Sequence, residues 1–169
     1  MEPLVDWPQR HTIDPSECPM NRPKPPLKFI IVEDEPLIAM DMEMMIEESG
    51  HRVIAEAASL YDAEDWDANL EPNIAFVDIQ LARKTSGLDV SKLIQARWPD
   101  TIIVFVTANP KIIPDDFGGA HGVIPKPLSH NGFLAAMQYL QDGVCDPPPT
   151  VQQPNSFTAS PAFAASWET

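Results

Sequence analysis

Basic residues and cysteines are scarce in this sequence, and each shortage excludes a class of function. Lys and Arg number 11 against 25 Asp and Glu, which gives a formal net charge of −14. Because a surface of that sign repels phosphate backbones and anionic lipids, we expect no direct binding of nucleic acid or membranes. The two cysteines, Cys18 and Cys145, make neither a disulfide framework nor a zinc site. They fit a reducing cytoplasm.

Long apolar runs are also missing. No segment reaches the roughly 18 consecutive apolar residues that a membrane-spanning helix requires. The first residues, MEPLVDWPQRH, lack the basic start and apolar stretch of a secretory signal. We therefore expect a soluble, cytoplasmic protein, and a length of 169 residues suits one domain.

The two ends of the chain lack the apolar periodicity of packed structure. Residues 1–26 contain seven of the 19 prolines, and residues 147–169 begin with three consecutive prolines and continue through Ser, Thr, Ala and Gln. Such segments bury too little apolar surface to offset the entropy of ordering. The sequence therefore predicts a disordered Pro-rich arm at 1–26, a folded domain at 27–143 and a disordered tail at 144–169.

Short apolar runs alternate with segments of helical periodicity inside the predicted domain. This alternation is typical of a parallel sheet covered by helices, whose strands are buried on both faces. The order strand, helix, strand, helix favours right-handed crossovers and a doubly wound sheet. The five predicted strands are Leu27 to Val32, Val53 to Ala55, Ile74 to Val77, Ile102 to Val106, and Val123 to Ile124.

Apolar residues at helical spacing predict helices between these strands. The first helix should end at Gly50, which can adopt a left-handed stop. Residues 109–121 contain two prolines and two adjacent glycines that interrupt a helix, so the fourth helix should be short or absent. The predicted apolar faces are Ile38, Met42 and Met45; Ala63, Trp66 and Leu70 behind the caps Ser59 and Asp62; Val90, Leu93, Ile94 and Trp98 after Gly87; and Phe133, Ala136, Met137 and Leu140 after the cap Ser129.

Polar residues stand where four of the predicted strands end. Glu33 and Asp34 follow the first strand and Asp78 follows the third, while Thr107 and Lys126 follow the fourth and fifth. The carboxyl ends of parallel strands meet at one edge of the sheet, where doubly wound proteins place their sites. Converging carboxylates favour a hard divalent cation such as Mg²⁺. The lysine and the hydroxyl would complete a pocket for phosphoryl oxygens, in which an aspartate can act as nucleophile.

Each of these residues also has a plainer interpretation when it is taken alone. An acid at a strand end is often a helix cap or a solvated loop residue, a threonine can be a turn residue, and a lysine between two prolines can be an exposed cation. The functional interpretation is favoured because these residues follow four strands of one sheet, whose carboxyl ends meet at the same edge.

Together these motifs resemble the receiver domain of two-component response regulators, over about Leu27 to Asp142. The resemblance implies a flavodoxin-like, three-layer (βα)5 fold with a five-stranded parallel sheet. The runs that carry it are Lys28-Phe29-Ile30-Ile31-Val32-Glu33-Asp34-Glu35-Pro36, Ala75-Phe76-Val77-Asp78-Ile79, Gly87-Leu88-Asp89, Val106-Thr107-Ala108 and Lys126-Pro127.

The resemblance also implies residue roles. Asp78 would accept a phosphoryl group from a sensor histidine kinase or a histidine phosphotransfer protein, and the protein would assist this transfer without being an enzyme. Output would pass to a downstream protein effector, or the chain would serve as a phosphate sink. Mg²⁺ would be held by Glu33, Asp34, Asp78 and the backbone carbonyl of Gln80; Lys126 and Thr107 would contact the phosphoryl oxygens; Ala108 would be the small neighbour of the switch hydroxyl; and the Lys126-Pro127 bond would be cis.

Two departures from the common receiver pattern stand out. Many receivers carry an aromatic residue three positions before the lysine, where this chain has Val123, which puts aromatic-threonine coupling in doubt. The interrupted segment after Thr107-Ala108-Asn109-Pro110 is similar to that of atypical alphaproteobacterial receivers, including the FAT GUY group and general-stress-response regulators. Signal output could therefore depend on ordering of this segment.

Two other functions use similar residues. A haloacid-dehalogenase-like phosphatase also has a strand-end aspartate, magnesium and a lysine, but it needs a second acid two residues after the nucleophile, where this chain has Gln80. A pseudo-receiver that only binds partners would be expected to lack Asp78 or the acid pair, and both are present.

Overall fold

The computed structural model describes residues 25–145 and 147–166. Nearly all of the predicted N-terminal arm lies outside the described residues. Within the described ranges, no helix is both long enough and apolar enough to cross a membrane.

A six-stranded sheet forms the centre of the molecule, in the order β2-β1-β3-β4-β5-β6. The first five strands are parallel, and the sixth is antiparallel to β5. The chain runs from β1 outward to β2 and then crosses to β3 on the other side of β1. The predicted doubly wound α/β fold is therefore confirmed. The strands are β1 (Lys28–Val32), β2 (Arg52–Ala57), β3 (Ile74–Val77), β4 (Ile102–Thr107), β5 (Gly122–Pro125) and β6 (Thr158–Ala159).

Alternate residues of the inner strands enter two separate cores, one on each face of the sheet. Phe29 and Phe76 point to the face covered by α1 (Pro36–Glu48) and α4 (His130–Cys145). Ile30 and Val77 point to the face covered by α2 (Leu60–Glu64) and α3 (Gly87–Arg97). All four of these strand residues are fully buried. This two-sided burial explains why the strands are continuous apolar runs.

The predicted helix boundaries are confirmed where a cap or a stop residue marks them. Gly50 follows α1 with φ of 84°, a left-handed conformation, and its N–H donates to the Glu47 carbonyl. The Ser86 hydroxyl accepts the Leu88 N–H at the start of α3. The Ser129 hydroxyl accepts the Gly132 N–H at the start of α4.

The second helix is shorter than its sequence pattern predicts. Its start is confirmed, because the Ser59 hydroxyl accepts the Asp62 N–H. The helix ends at Glu64, however, and Asp67 then caps a separate 3₁₀ turn at Ala68–Leu70. Trp66 therefore packs against the core from outside α2. An Asp side chain that binds a nearby backbone N–H offers the chain an alternative to a continued helix, and apolar periodicity does not reveal this competition.

The connection between β4 and β5 contains two 3₁₀ turns, Pro110–Ile112 and Phe117–Gly119, and no α-helix among its described residues. Phe117, Gly118 and Gly119 all have positive φ values, which an α-helix cannot accommodate. The prediction of a short or absent fourth helix is confirmed.

The C-terminal residues differ from the predicted disordered tail. Helix α4 continues to Cys145, and residues 158–166 form β6 and α5 (Pro161–Ser166), so the sheet has six strands instead of five. Phe157 and Phe163 are buried in the core beside α4. Composition alone underestimated this segment, because two aromatic side chains supply most of the apolar surface that it buries.

Candidate functional site

Three carboxylates meet where β1 and β3 end. The Asp78 N–H donates to the Val32 carbonyl at 2.8 Å and the Glu33 N–H to the Ala57 carbonyl at 2.9 Å, so the sheet ladder fixes both backbone positions. One carboxylate oxygen each from Glu33, Asp34 and Asp78 lies within 4.8 Å of the others. The structure thus brings together the acids that the sequence predicts at this edge.

Lys126 reaches this cluster from the end of β5. Its Nζ donates to Asp78 Oδ2 at 2.8 Å and lies 2.7 Å from Glu33 Oε2. The Lys126 and Asp78 side chains are each 9% exposed and that of Glu33 is fully buried. One ammonium therefore balances two largely desolvated carboxylates.

Burial and neighbouring charges shift the pKa values of Glu33 and Lys126. Burial raises the pKa of the Glu33 carboxyl, and the nearby charge of Asp78 adds to this, while Lys126 and the Glu35 N–H oppose it. Burial alone would lower the pKa of the Lys126 ammonium, but its contacts with Asp78 and Glu33 outweigh burial and raise it. The lysine is firmly charged, and the cluster still contains more negative than positive charge.

The donor set fits a hard divalent cation. Glu33 Oε2 is buried and lies 2.7 Å from the Lys126 ammonium. Its other oxygen accepts the Glu35 N–H at 3.1 Å. Three neighbouring carboxylates with one ammonium between them offer the hard oxygen ligands that Mg²⁺ prefers.

The backbone around Asp78 is tightly packed. A Cβ atom at Gly87 would lie 1.9 Å from the Asp78 carbonyl oxygen, so only glycine lets α3 begin this close to β3. The Gln80 N–H points toward Asp78 Oδ1 at 3.4 Å, and Gln80 forms an isolated bridge with Ser86. Gln80 is exposed. The proposed use of its carbonyl as a metal ligand stays a prediction.

The remaining predicted residues lie within, or directly after, β4 and β5. Thr107 is buried at the end of β4, its hydroxyl accepts the Asn109 N–H at 3.2 Å, and its carbonyl accepts the Lys126 N–H at 2.9 Å. Ala108 is exposed, and Val123 packs in the core beside α3. The Lys126-Pro127 bond is cis, as the resemblance implies.

Two features of the site were missed in the sequence. The contact between Glu33 and Lys126 joins residues 93 positions apart in the sequence, and charge patterning within one segment does not reveal such a pair. Gly87 was predicted only as the start of a helix, although a glycine directly after a capping serine, where a helix former would be expected, signals a close backbone approach.

The fold and the site define a doubly wound α/β protein with an acidic pocket and a lysine at its topological switch point. The family model of the response regulator receiver domain matches residues 29–138. The chain belongs to the response regulator receiver domain family.

Several named proteins are similar to this chain. The phyllosphere-induced regulator PhyR of Methylorubrum extorquens is 40% identical over 86 residues, which cover 50% of this chain and 32% of that protein. The solution structure of the receiver domain of Erythrobacter litoralis PhyR matches with a TM-score of 0.62 and 27% identity, covering 75% of this chain and 97% of that domain.

A crystal structure described as the anti-anti-sigma factor PhyR of Bartonella quintana matches with a TM-score of 0.55 and 30% identity, covering 69% of this chain and 47% of that chain. The present chain thus spans about a third of the curated Methylorubrum relative and about half of the Bartonella chain.

Proposed function

We propose that this chain is a phosphoacceptor of a two-component system, with Asp78 as the residue that is phosphorylated in a Mg²⁺-dependent reaction. The observation that carries the proposal is the position of the Asp78 carboxylate, which ends a buried strand between two further acids and a lysine 2.8 Å away. This arrangement combines a nucleophile with the charges that stabilise a transferred phosphoryl group.

Each side chain of the site has a proposed part in the transfer. One carboxylate oxygen of Asp78 attacks the phosphorus of a phosphohistidine in line, an oxygen-phosphorus bond forms, and the bond to the histidine nitrogen breaks. Lys126 and the Thr107 hydroxyl bind the phosphoryl oxygens. Glu33, Asp34, Asp78 and the Gln80 carbonyl would hold Mg²⁺, which would supply positive charge opposite the transferred group.

The proposal is of a signalling protein and not of an enzyme that turns over many substrates. Asp78 is itself the acceptor, and Gln80 stands near the acceptor where a phosphatase of the haloacid-dehalogenase type needs a second acid. A binding module without phosphorylation remains the alternative, but the buried acids Glu33 and Asp78 and the lysine then serve no evident purpose, although their burial costs free energy.

The phosphodonor is proposed to be a sensor histidine kinase or a histidine phosphotransfer protein. Leu37, Met40 and Met44 line one side of α1, three and four residues apart, and are 78%, 60% and 53% exposed. Helix α1 begins four residues after β1 ends, beside the acid cluster. An exposed apolar stripe at this position suits a protein partner that must bring a phosphohistidine to Asp78.

We further propose that output passes through a protein contact in a general stress response, or that the chain drains phosphoryl groups from a shared kinase. This proposal rests on the likeness to PhyR proteins, one of which is described as an anti-anti-sigma factor. The net charge of −14 argues against direct DNA contact.

The test is phosphorylation by a small-molecule phosphodonor with and without Mg²⁺, followed by intact-protein mass measurement and by release of free phosphate. We expect a stable adduct on the wild-type chain with Mg²⁺ and none on Asp78→Asn. Rapid release of phosphate would favour a phosphatase. A folded wild-type chain that forms no adduct would contradict the proposal and favour the binding module.

A further inference from the structure

Residues 154–166, which we term the C-terminal segment, close one edge of the sheet. Strand β6 pairs with β5 so that Ala159 is opposite Gly122 and Thr158 is opposite Val123. The Ser160 N–H also donates to the His121 carbonyl at 2.8 Å. These pairs occupy the backbone groups on the outer side of β5, which would otherwise form an open sheet edge.

Two aromatic side chains anchor the C-terminal segment. Phe157 is 1% exposed, and its ring lies 5.6 Å from that of Tyr139 on α4. Phe163 packs edge-on against His121 with a centroid distance of 5.0 Å. Between the segment and the start of α4, the Ser156 hydroxyl donates to the Gly132 carbonyl at 2.6 Å. Docking therefore combines a short ladder with two buried aromatic side chains.

At one position, Gly122, strand β5 lacks a side chain and so leaves room for the C-terminal segment. A Cβ atom at Gly122 would lie 2.4 Å from two ring carbons of Phe157 and 2.7 Å from the Thr158 carbonyl oxygen. Neither a core aromatic ring nor a paired backbone can move aside easily. The absence of a side chain at Gly122 is thus a condition for an aromatic residue to lie against this strand.

The chain leading to the segment is exposed and its composition is distinctive. Residues 147–153 form no helix or strand, and six of these seven residues are exposed. Residues 147–166 contain no Asp, Glu, Lys or Arg, although the whole chain carries a net charge of −14. The docked segment is therefore held by apolar contact and backbone pairing, without charge.

We propose that the outer side of β5 is a strand-addition site for an extended, uncharged segment of a partner protein that carries an aromatic side chain, and that the C-terminal segment keeps this site closed. The occupant present in the structure defines the ligand chemistry: a strand that pairs with Gly122 and Val123 and an aromatic ring in the Phe157 position. Strand addition of this type obtains affinity from main-chain hydrogen bonds and selectivity from side-chain hollows.

The C-terminal segment, being part of the same chain, blocks the outer side of β5 effectively but reversibly. A tethered segment competes at an effective concentration of the order of millimolar, so a free partner segment is excluded while the tether remains docked. The docked part consists of two paired residues on each strand and two aromatic anchors, and it can open locally while the five parallel strands stay folded. The proposal concerns β5 and does not depend on the phosphorylation of Asp78.

The test uses the full chain and a fluorescent peptide of residues 153–166 as probe. Phe157→Ala weakens docking of the tethered segment and vacates the hollow that the peptide's own phenylalanine fills. We expect the peptide to bind this variant at least about tenfold more tightly than the wild-type chain, as truncation of a core aromatic residue allows. A peptide that itself carries Phe157→Ala should not show this tighter binding to the variant chain.

Gly122→Ala, combined with Phe157→Ala, is the matched variant in which the hollow is blocked, and it should abolish peptide binding. The proposal is overturned if the folded Phe157→Ala chain does not bind the peptide, if it binds no better than wild type, or if Gly122→Ala leaves binding intact.

Amide exchange of the wild-type chain provides a second test that needs no variant. We expect the amides of residues 157–164 to exchange at least about tenfold faster than those of β1 and β3, because the segment opens without global unfolding. Equal protection would place the segment in the same cooperative unit as the core and would overturn the proposal.

Discussion

Lys126 is the charge on which the acid cluster depends. Its ammonium contacts Asp78 and Glu33 at 2.8 and 2.7 Å in surroundings that are largely closed to water. Loss of one member of such a group leaves the others buried and uncompensated, and this costs more than the ion pair itself contributes.

Lys126→Gln should lower the free energy of unfolding by about 3 kcal/mol, because Glu33 and Asp78 would then face each other without a cation. The measurement is urea unfolding at neutral pH. Lys92→Gln is the matched control: Lys92 is exposed and, among residues 25–145 and 147–166, its ion pair is with exposed Asp89 at 3.8 Å, so its loss should cost less than about 0.5 kcal/mol. Similar effects of the two substitutions would contradict this account of the site.

Two histidines act as acceptors for strand backbone. His121 Nδ1 accepts the Ile103 N–H at 2.9 Å, and His51 Nδ1 accepts the Leu27 N–H at 3.1 Å. Burial lowers the pKa of both imidazoles. Protonation of either Nδ1 would remove an acceptor and leave a backbone N–H unpaired.

The stability of the fold should therefore fall on acidification below the ordinary histidine pKa of about 6.5. The unfolded chain binds protons there more readily than the folded chain, so the stabilisation present above that pH is lost as pH falls through the lowered folded-state pKa. His121→Asn keeps an acceptor oxygen in place of Nδ1 and cannot titrate. Urea midpoints measured between about pH 7.5 and 5.5 should fall less steeply for this variant than for wild type. Equal slopes would show that His121 plays no part.

At the scale of elements, a neighbouring helix contacts the connection between β4 and β5. Gln95 on α3 donates through Nε2 to the Gly118 carbonyl and to the Ser91 hydroxyl, each at 3.0 Å. This connection directly follows Thr107, so we expect its order to respond to phosphorylation of Asp78.

Gln95→Ala should speed amide exchange in residues 113–120 while changing the free energy of unfolding by no more than about 2 kcal/mol, the worth of the two hydrogen bonds that Gln95 donates. Hydrogen exchange with mass spectrometry gives the first quantity and urea unfolding the second. Lys92→Ala, on the exposed face of the same helix, should leave the exchange of residues 113–120 unchanged. Unaltered exchange in Gln95→Ala would show that the connection is held by its own turns.

The sequence predicted best the strands that are buried on both faces of the sheet. Strands β1, β3 and β4 are continuous apolar runs because both faces are covered, and an acid or a hydroxyl directly after such a run marks its carboxyl end. The family resemblance then assigned roles to the residues at those strand ends. Helix α2 was predicted too long because local capping by Asp67 competes with a helical pattern that Trp66 and Leu70 continue.

The parts that sequence could not provide depend on contacts between distant segments. Phe157 lies against Gly122, 35 positions away in the sequence. The sequence around either residue does not indicate that the two are in contact. A segment rich in proline and small residues has the composition of a disordered tail, yet it docks because the sheet edge and the hollow are already built by the rest of the fold.

At the scale of the whole molecule, cation binding should be linked to folding. The acid cluster is assembled from loops after β1 and β3 and exists only in the folded chain, so Mg²⁺ should stabilise the native state. At a hundredfold excess over its dissociation constant, Mg²⁺ should raise the free energy of unfolding by about 2.7 kcal/mol relative to potassium chloride of equal ionic strength.

Asp78→Asn should remove most of this stabilisation, whereas Glu47→Gln on the exposed side of α1 should retain it. Thermal or urea unfolding with and without Mg²⁺ measures the difference. Equal stabilisation of the Asp78→Asn variant would place the cation elsewhere.

The sixth strand also determines how copies of this chain can meet. A doubly wound sheet has two different outer strands, β2 and, beneath the C-terminal segment, β5. A contact from β5 of one molecule to β2 of the next would be heterologous and would repeat without closing, which is the geometry of a fibre. With β6 in place, the β5 surface needed for that repeat is already paired, and the edge that replaces it is a strand of only two residues.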